Sequence, residues 1–367
     1  MLYMLTSADL IIRHPKQLTA EWARKILAYQ VANIQVTDVK IENLDIGTTT
    51  RIQARVEHNG PAELSRHWFI KLPSLSWRAR VITILPRLLN TEIHFYQHIA
   101  AHTPVRTAQV LAAASNFLGT SSTLVINHVA ENGAQAGVAG QALQLEQAQA
   151  VIKNLALLHA RFWEKTEENI HLRQLGGPTR KLEDLLGSLL AIPLMRLALR
   201  KAKHLLPENQ ATNVLEYARH RKSIMALLSQ GPQTLIHRDC HPGNFFWKNG
   251  EPGFLDWQLV RIGEGMADVA YFLATSLDSS LRQEHEAALL VLYRQELEAA
   301  GIVVPIETLQ ERYRLQLSYP LEAMLLTLAI GGLMDKLGNE TMIRRAAQAV
   351  ADNQVFELLR DKNYGIT

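Results

Sequence analysis

The hydrophobic periodicity of the chain changes about a third of the way along, and this change constrains the fold more than any other feature. Residues 51–57 (RIQARVE) and 66–72 (RHWFIKL) alternate apolar and polar side chains, which indicates half-buried strands, and Asn59-Gly60-Pro61 is a turn signal between them. From about residue 141 the apolar residues recur at steps of three and four, which indicates helices. The sequence therefore predicts an α+β fold with a small sheet and a larger helical part.

Four further elements follow from local patterns. Thr19 is placed to cap a helix that runs to about Ala32, and residues 86–101 have helical spacing. Residues 123–126 form a short apolar run that is typical of a buried strand. Residues 145–162 carry one apolar stripe that includes His159, so that imidazole is predicted to be a hydrogen-bonded core group.

The length and composition allow two units in one globular protein. With 367 residues, 47% of them hydrophobic and 20% charged, the chain can bury a sizeable core. We predict a first lobe of residues 1–126 and a second of residues 127–367. The Gly-rich stretch 128–140 is the best candidate for the hinge between them.

The charge and cysteine content exclude several classes of function. A net charge of +3 is too small for a nucleic-acid footprint, and the lone Cys240 cannot form an internal disulfide. The N-terminal residues do not resemble a signal peptide, and the longest apolar run, 323–334, is too short to span a bilayer. We therefore expect a soluble, cytoplasmic protein without membrane insertion.

Residues 234–258 (TLIHRDCHPGNFFWKNGEPGFLDWQ) have the composition of a reaction centre. Asn249-Gly250 predicts a hairpin, which would place Asn244 and Asp256 opposite one another with Cβ atoms about 5 Å apart. Two oxygen ligands in this position suit Mg²⁺, and Asp239 lies on the tight loop before them. A carboxylate base and Mg²⁺ ligands are what phosphoryl transfer requires.

This stretch also resembles a known family. HRDCHPGN followed by FLDW, and then by Gly265 and Asp268, is similar to the catalytic loop and metal-binding aspartate of the aminoglycoside phosphotransferase and choline-kinase-like superfamily. LALLHARFWE at 155–164 resembles a helix signature of that superfamily, and NTEIHFYQHIA at 90–100 resembles its ecdysteroid-kinase-like (CHK kinase-like) subgroup. The resemblance implies a bilobal protein-kinase-like fold and an ATP- and Mg²⁺-dependent kinase that acts on a hydroxyl group of a small molecule.

The resemblance assigns five central roles. Asp239 matches the catalytic base that accepts the proton of the substrate hydroxyl, and Asn244 and Asp256 match the two metal ligands. Lys71 matches the strand lysine that contacts the α- and β-phosphates. Glu92, 21 residues further along, matches the helix carboxylate that pairs with this lysine.

The resemblance assigns further nucleotide contacts less specifically. Residues 47–51, with Gly47, Thr48 and Thr49, fall where a phosphate-covering loop belongs. The segment from Ile126 to Val129, with Asn127, falls at the adenine-binding hinge. His241 occupies the position of a phosphate-contacting lysine in protein kinases and is a second candidate catalytic residue.

Other polar residues near the loop have simpler interpretations. His237 is predicted to support the loop through hydrogen bonds, and Asp268 is predicted to be a structural acceptor. Cys240 is predicted to be a small packing residue, because nothing in the sequence lowers the pKa of its thiol.

Two alternative functions remain open from the sequence. His237, Asp239 and His241 would share one face of a straight strand and could bind zinc in a metal-dependent hydrolase. A nucleotide-binding pseudokinase is the second alternative, although the retention of the catalytic set argues against it.

The substrate is constrained only by charge. Residues 171–222 hold 10 Lys and Arg against 4 Asp and Glu, a surplus of +6 in the helical part where the acceptor is expected to bind. This surplus favours a neutral or acidic hydroxyl-bearing metabolite over a cationic one.

Overall fold

A computed structural model of the chain describes residues 8–76, 88–116, 120–165, 169–208 and 210–365. The chain divides into two compact units. Unit 1 comprises Met1–His102, Arg106–Ala136 and Gly253–Leu259, and unit 2 comprises Thr103–Val105, Gly137–Pro252 and Val260–Thr367. The predicted lobe boundary after residue 126 stays a prediction; in this division unit 1 continues ten residues further and also includes a short segment from far along the chain.

Unit 1 is built on an antiparallel five-stranded sheet in the order β1-β2-β3-β6-β5. Its strands are β1 Val36–Ile46, β2 Thr49–His58, β3 His67–Pro73, β5 Val110–Ser115 and β6 Ser122–Asn127. The short strand β4, Arg106–Thr107, pairs in parallel with residues 253–254 at the end of β10, Glu251–Phe254. A short β7, Gln135–Ala136, ends this unit's second segment.

The apolar residues of the two predicted alternating strands are buried on one face of this sheet. Ile52, Ala54 and Val56 on β2 and Trp68 and Ile70 on β3 are at most 1% exposed. They pack with helix α1, Ala20–Leu27, whose first turn is capped by the side chain of Thr19. The predictions of both strands and of the 123–126 strand are therefore confirmed.

Helix α1 ends five residues before its predicted end near Ala32. Its buried stripe stops at Leu27, and Tyr29, just beyond, is 63% exposed. Val31 still packs against the core, so the chain keeps contact with it after the helix has ended, and Asn33 then has a positive φ of 58°. The second helix of unit 1, α2, spans Leu88–His98. It lies within the predicted 86–101 helix, of which residues 86–87 fall outside the described residues.

Unit 2 is mainly helical. Its helices are α3 Leu145–Phe162, α4 Ile170–Leu175, α5 Pro178–Ala202, α6 Gln210–Leu228, α7 Met266–Ser276, α8 Ser279–Ala299, α9 Ile306–Gln316, α10 Ser318–Ile330, α11 Lys336–Asp352 and α12 Val355–Asp361. A two-stranded antiparallel sheet joins β8, Gln233–Ile236, to β11, Arg261–Glu264. The α+β class, with a small antiparallel sheet and a larger helical part, is confirmed.

The predicted hairpin is also present. Strand β9, Phe245–Lys248, is joined to β10 by a two-residue turn in which Asn249 and Gly250 both have positive φ angles, 55° and 79°. Such φ values at both central positions define the turn that matches the twist of the two strands.

The Gly-rich segment 128–140 contains two glycines that unit 2 requires for close packing. A Cβ on Gly137 would lie 2.0 Å from the carbonyl oxygen of Pro242, and one on Gly140 would lie 2.7 Å from the Cα atom of Gly338. Its proposed role as a hinge stays a prediction. Within the described part of the chain, no helix is both long and apolar enough to cross a bilayer.

Candidate functional site

A buried lysine centre, formed by Lys71, Glu92 and Asp256, lies in unit 1. The Nζ atom of Lys71 donates to both carboxylate oxygens of Glu92, at 2.9 and 2.8 Å, and to Oδ1 of Asp256 at 2.9 Å. Lys71 is 4% exposed and Glu92 is fully buried. The structure therefore contains the predicted pairing of Lys71 with Glu92 and adds Asp256 to it.

Burial and charge act against each other in the lysine centre. Burial acts to lower the pKa of Lys71, but the carboxylates of Asp256 and Glu92 together outweigh it and hold that pKa above its usual value. Burial raises the pKa of Glu92 to about 7 against the opposing effect of Lys71. One cation therefore faces two carboxylates, and the centre carries a net negative charge when all three groups are ionised.

Aromatic packing fixes the position of Asp256. The next residue, Trp257, is fully buried and stacks on Phe95 of α2 with ring centroids 4.0 Å apart and planes 11° apart. Asp256 itself has a φ of 60°, a left-handed conformation that is unusual for a residue other than glycine. The chain therefore turns sharply at this carboxylate, and the strain marks it as a functional candidate.

The predicted phosphate-covering loop is a tight turn between β1 and β2. Gly47 and Thr48 form the turn, and Thr49 and Thr50 belong to β2. The N–H of Gly47 donates to the carbonyl of Thr49 at 3.0 Å, and the side chain of Ser74 donates to the carbonyl of Gly47 at 2.7 Å. The structure thus shows a well-braced turn; its contact with phosphate stays a prediction.

The predicted adenine-binding segment lies at the end of β6. The amide group of Asn127 is buried, and its Nδ2 donates to Gln109 at 2.7 Å. Its Oδ1 is buried without a hydrogen-bond partner among the described residues. Val129 begins a 3₁₀ turn directly after it. A buried acceptor without a partner is uncommon and suits a ligand that donates a hydrogen bond.

In unit 2, residues 237–244 form the loop around Asp239 that was predicted to be the catalytic loop. Tyr271 of α7 donates its hydroxyl to Oδ1 of Asp239 at 2.6 Å, and Nδ2 of Asn244 donates to Oδ2 at 2.9 Å. Asn244 also donates to the backbone carbonyl of Asp239 at 2.9 Å. The carboxylate of Asp239 is therefore held in one orientation by two side chains.

Asp268 anchors the backbone of this loop through hydrogen bonds. Its two carboxylate oxygens accept the N–H groups of His237 and Arg238, each at 2.7 Å. Burial opposes ionisation of Asp268, but the hydrogen bond and charge of His159 together with His237 outweigh it and lower the pKa of this carboxyl group. Asp268 is thus a structural acceptor, as predicted.

His159 completes this support. Its Nε2 lies 3.3 Å from Oδ2 of Asp268, and its Nδ1 lies 2.8 Å from the hydroxyl of Tyr293. These contacts suit a donor at Nε2 and an acceptor at Nδ1. Gly265 allows the approach, because a Cβ there would lie 2.8 Å from both Nδ1 of His159 and the hydroxyl of Tyr293. The prediction of a hydrogen-bonded core histidine is confirmed.

His241 caps the turn that follows the base. Its Nδ1 accepts the N–H of Gly243 at 3.1 Å, and its Nε2 lies 3.8 Å from Oδ1 of Asp239. An acceptor at Nδ1 leaves Nε2 as the protonated nitrogen of the neutral ring, directed toward Asp239. The structure therefore gives His241 a structural partner, and its role as a catalytic residue stays a prediction.

The zinc alternative does not fit this geometry. It requires a straight strand through His237, Asp239 and His241, but Arg238 has a φ of 70°, which turns the chain between the first two. The Nδ1 atom of His237 accepts the N–H of Asp239 at 3.3 Å, and the corresponding atom of His241 is likewise occupied by Gly243. The expected shared face is therefore wrong, because the loop is folded on itself.

Cys240 has the packing role that was predicted for it. Its side chain is fully buried, and burial together with Asp268 and Asp239 raises the pKa of the thiol. A protonated, inaccessible thiol is unreactive.

Two side chains of the loop region were not predicted from the sequence. Tyr271 lies three residues after Asp268 on α7, a spacing that places both on one helix face. This spacing from Asp268, which was predicted only to be a structural acceptor, was the available signal for Tyr271. The second is Arg238, whose guanidinium group lies over the ring of Tyr319 at 3.9 Å from the ring centroid.

A family model, described as the phosphotransferase enzyme family (APH), matches residues 21–301 of the chain. The match spans most of the chain and includes both the lysine centre and the catalytic loop. This chain belongs to the phosphotransferase enzyme family. The expected superfamily is therefore confirmed, as is the expectation of a phosphotransferase; the CHK kinase-like subgroup stays a prediction.

Several solved structures resemble the chain at low sequence identity. An aminoglycoside 2'-phosphotransferase-IIIa in complex with GDP is 15% identical over 91% of this chain and 99% of its own, with a TM-score of 0.49. A choline kinase LicA from Streptococcus pneumoniae is 13% identical over 90% and 98%, with a TM-score of 0.47. An ethanolamine kinase from Plasmodium vivax is 14% identical over 96% and 98%, with a TM-score of 0.48. No sequence among the curated proteins compared matches this chain.

Proposed function

We propose that this phosphotransferase is an ATP- and Mg²⁺-dependent kinase that phosphorylates a hydroxyl group of a small molecule, with Asp239 as the base. The observation that carries the proposal is the orientation of Asp239 by Tyr271 and Asn244 on a loop whose backbone is anchored to buried Asp268. A general base must be held within hydrogen-bond reach of the proton that it accepts, and a doubly held carboxylate satisfies this requirement.

The proposed reaction transfers one phosphoryl group. The acceptor hydroxyl gives its proton to the carboxylate of Asp239, and its oxygen forms a bond to the γ-phosphorus of ATP. The bond between the γ-phosphorus and the bridging oxygen of the β-phosphate breaks, so ADP leaves. The hydrogen bond from Tyr271 restrains the carboxylate, which positions it for the incoming proton.

The lysine centre is proposed to bind the nucleotide phosphates. Lys71 is held in place by two carboxylates and carries a raised pKa, so its ammonium group stays charged. A fixed cation of this kind suits the α- and β-phosphates. The buried Oδ1 of Asn127 supports a hydrogen bond from the amino group of adenine, and residues 47–49 are proposed to cover the phosphates.

Two residues are proposed to hold Mg²⁺. Asn244 donates through Nδ2 to Asp239, which leaves its Oδ1, for which the described residues show no hydrogen bond, as an oxygen ligand. Asp256 supplies carboxylate oxygens, of which Oδ1 is engaged with Lys71. This set of hard oxygen donors fits Mg²⁺. When bound, the metal would neutralise phosphate charge.

The proposal is tested by Mg²⁺-ATP-dependent release of ADP across a panel of sugars, amino alcohols, steroids and hydroxy acids. With any acceptor found, Asp239→Asn is expected to lower kcat by about 100-fold or more, because general-base catalysis contributes about 10²–10⁴-fold. The control Asp361→Asn alters an exposed carboxylate at the end of α12 and is expected to keep wild-type turnover. Wild-type turnover in Asp239→Asn would contradict the proposal.

The pseudokinase alternative is distinguished by the same panel. It predicts ATP binding without ADP release for every acceptor, and no effect of Asp239→Asn on that binding. We favour the kinase because Asp239, Asn244, Lys71 and Asp256 are all retained and the described contacts order each of their side chains.

A further inference from the structure

Arg238 occupies a backbone position that an arginine rarely adopts. Its φ is 70°, in the left-handed region that glycine and asparagine favour, and the conformation is fixed because its N–H donates to Oδ1 of Asp268. A non-glycine residue held in this region costs of order 1–3 kcal/mol, and such strain concentrates at functional sites. The sequence therefore retains an arginine at a position where glycine would be more stable.

The side chain of Arg238 differs from the other inward-facing arginines of unit 2. Arg221, Arg261 and Arg312 each form an ion pair with a carboxylate: Glu322, Asp184 and Glu264, respectively. Among the described residues, the guanidinium group of Arg238 forms no ion pair within 4.0 Å and no hydrogen bond, although its charge acts at longer range on Asp184, as do those of Arg261 and Arg221. Its Cζ atom lies 3.9 Å from the centroid of the Tyr319 ring, and the residue is half-buried. Contact with an aromatic ring does not require the N–H donors of a guanidinium group, so these donors can bind a ligand.

Arg238 is also a neighbour of the proposed base. Arg238 directly precedes Asp239 in the chain, and the ring of Tyr319 under its guanidinium group lies 5.8 Å from the ring of Tyr271. Tyr271 in turn donates to the carboxylate of Asp239. The two rings are tilted by 44°, so a pair of packed tyrosines lies between the guanidinium group and the carboxylate of Asp239. We therefore expect a molecule that presents its hydroxyl to Asp239 to come within reach of Arg238.

We propose that Arg238 is the specificity-determining residue of the acceptor site and binds an anionic oxygen group, a carboxylate or a phosphate, carried by the acceptor. The proposal rests on the proposed kinase function. A planar fork of N–H donors matches such groups in a bidentate geometry. The acceptor is therefore an anionic alcohol, either a hydroxy acid or an alcohol phosphate, and a cationic amino alcohol is disfavoured.

The test compares matched acceptors in the wild type and in Arg238→Gly. Each hydroxy acid is paired with its methyl ester, and each sugar phosphate with the free sugar, so that only the anion changes. Arg238→Gly is expected to lower kcat/KM for the anionic member by about 10- to 100-fold more than for its neutral partner, the range of a charged hydrogen bond. The two pairings distinguish carboxylate from phosphate recognition.

Folding does not complicate this comparison. Glycine relieves the left-handed backbone, so Arg238→Gly is expected to unfold at the same urea concentration as the wild type or a higher one. Arg238→Lys keeps the charge without the fork and is expected to recover part of the discrimination. Arg294→Gln, which alters an arginine paired with Glu298 within α8, is the control and is expected to leave the discrimination unchanged.

Three outcomes would overturn the inference. The first is an equal loss for both members of every pair, which would make Arg238 only a packing residue. The second is a higher KM for ATP with unchanged discrimination, which would place its ligand on the nucleotide. The third is a wild-type preference for neutral or cationic acceptors. A failure of the proposed kinase function is distinguishable from these outcomes. In that case anionic alcohols would stabilise the wild type in a thermal shift assay, but no ADP would be released.

Discussion

Removing the cation of the lysine centre should destabilise the protein far more than removing a surface lysine. In Lys71→Met, the fully buried carboxylate of Glu92 and the 22%-exposed side chain of Asp256 would face each other without the ammonium group that binds both. Breaking a buried ion pair by removing one partner costs about 3–5 kcal/mol, because the remaining charge is uncompensated. Asp256 is partly exposed, so we expect a loss of about 3 kcal/mol in the free energy of unfolding.

The pH dependence of this loss has a definite sign. Burial already raises the pKa of Glu92 to about 7 while Lys71 opposes it, so the pKa in Lys71→Met must rise further. Between the unfolded pKa and the higher folded pKa, the folded state binds more protons than the unfolded state, so stability increases as the pH falls. The deficit of Lys71→Met should therefore shrink between pH 8 and pH 5.5.

Urea unfolding followed by circular dichroism measures these differences. Lys25→Met is the matched control, because the side chain of Lys25 is 44% exposed and its Nζ lies 3.8 Å from Glu21, a surface pair worth less than about 1 kcal/mol. Lys71→Met/Glu92→Gln should regain part of the loss, since it removes the unpaired charge as well. A deficit below about 1 kcal/mol in Lys71→Met, or one that is independent of pH, would refute the reasoning.

Three further predictions concern the support of the catalytic loop. Tyr271→Phe removes a charge-assisted hydrogen bond to Asp239 worth about 1.5–3 kcal/mol, so the carboxylate is no longer held in one orientation and kcat should fall by roughly 10-fold or more; an unchanged kcat would contradict this role. In the wild type, the lowered pKa of Asp268 stabilises the fold above the unfolded pKa of this group, and the contribution is lost as the pH falls through the folded pKa. Asp268→Asn lacks this contribution and should therefore lose less stability on acidification below about pH 4. Equal dependence of the free energy of unfolding on pH in both proteins, measured by urea titration, would count against this. Gly265→Ala should lower the free energy of unfolding by about 1–3 kcal/mol, because the added Cβ overpacks the site. In the control Gly176→Ala the added Cβ has no neighbour closer than 3.7 Å, so thermal unfolding should show a loss of less than about 1 kcal/mol.

The arrangement of strands and helices was largely predictable because local patterns determine it. The alternation around Ile52 and Trp68 gives the buried face of the sheet, and the turn residues Asn249 and Gly250 give the hairpin with its two positive φ angles. The end of α1 was less predictable, because residues 28–32 contain neither glycine nor proline to mark it.

Burial of the lysine centre could not be predicted from alternation. Period two places Lys71 on the polar face of β3, where a lysine is ordinarily solvated. In the structure that position is also covered, by Glu92 and by the segment of Asp256, which lies 185 residues further along the chain. A contact between such distant segments leaves no trace in the local pattern of β3; the resemblance suggested the pairing of Lys71 with Glu92 but not the contact with Asp256.

The charge argument for the substrate changes most between sequence and structure. The surplus of +6 over residues 171–222 counted formal charges without their partners. Arg221 within that stretch is neutralised by Glu322, a buried carboxylate from α10, and Lys201 donates to backbone carbonyls at the end of the same helix. These cations are already engaged with protein acceptors, so their number says little about a ligand. The charge that we propose to act on the acceptor is that of Arg238, which lies outside the surplus stretch, next to Asp239 in the chain, and contacts a tyrosine ring without forming an ion pair. The proposed preference for an anionic acceptor therefore rests on one guanidinium group and would hold even if the surrounding helices were neutral.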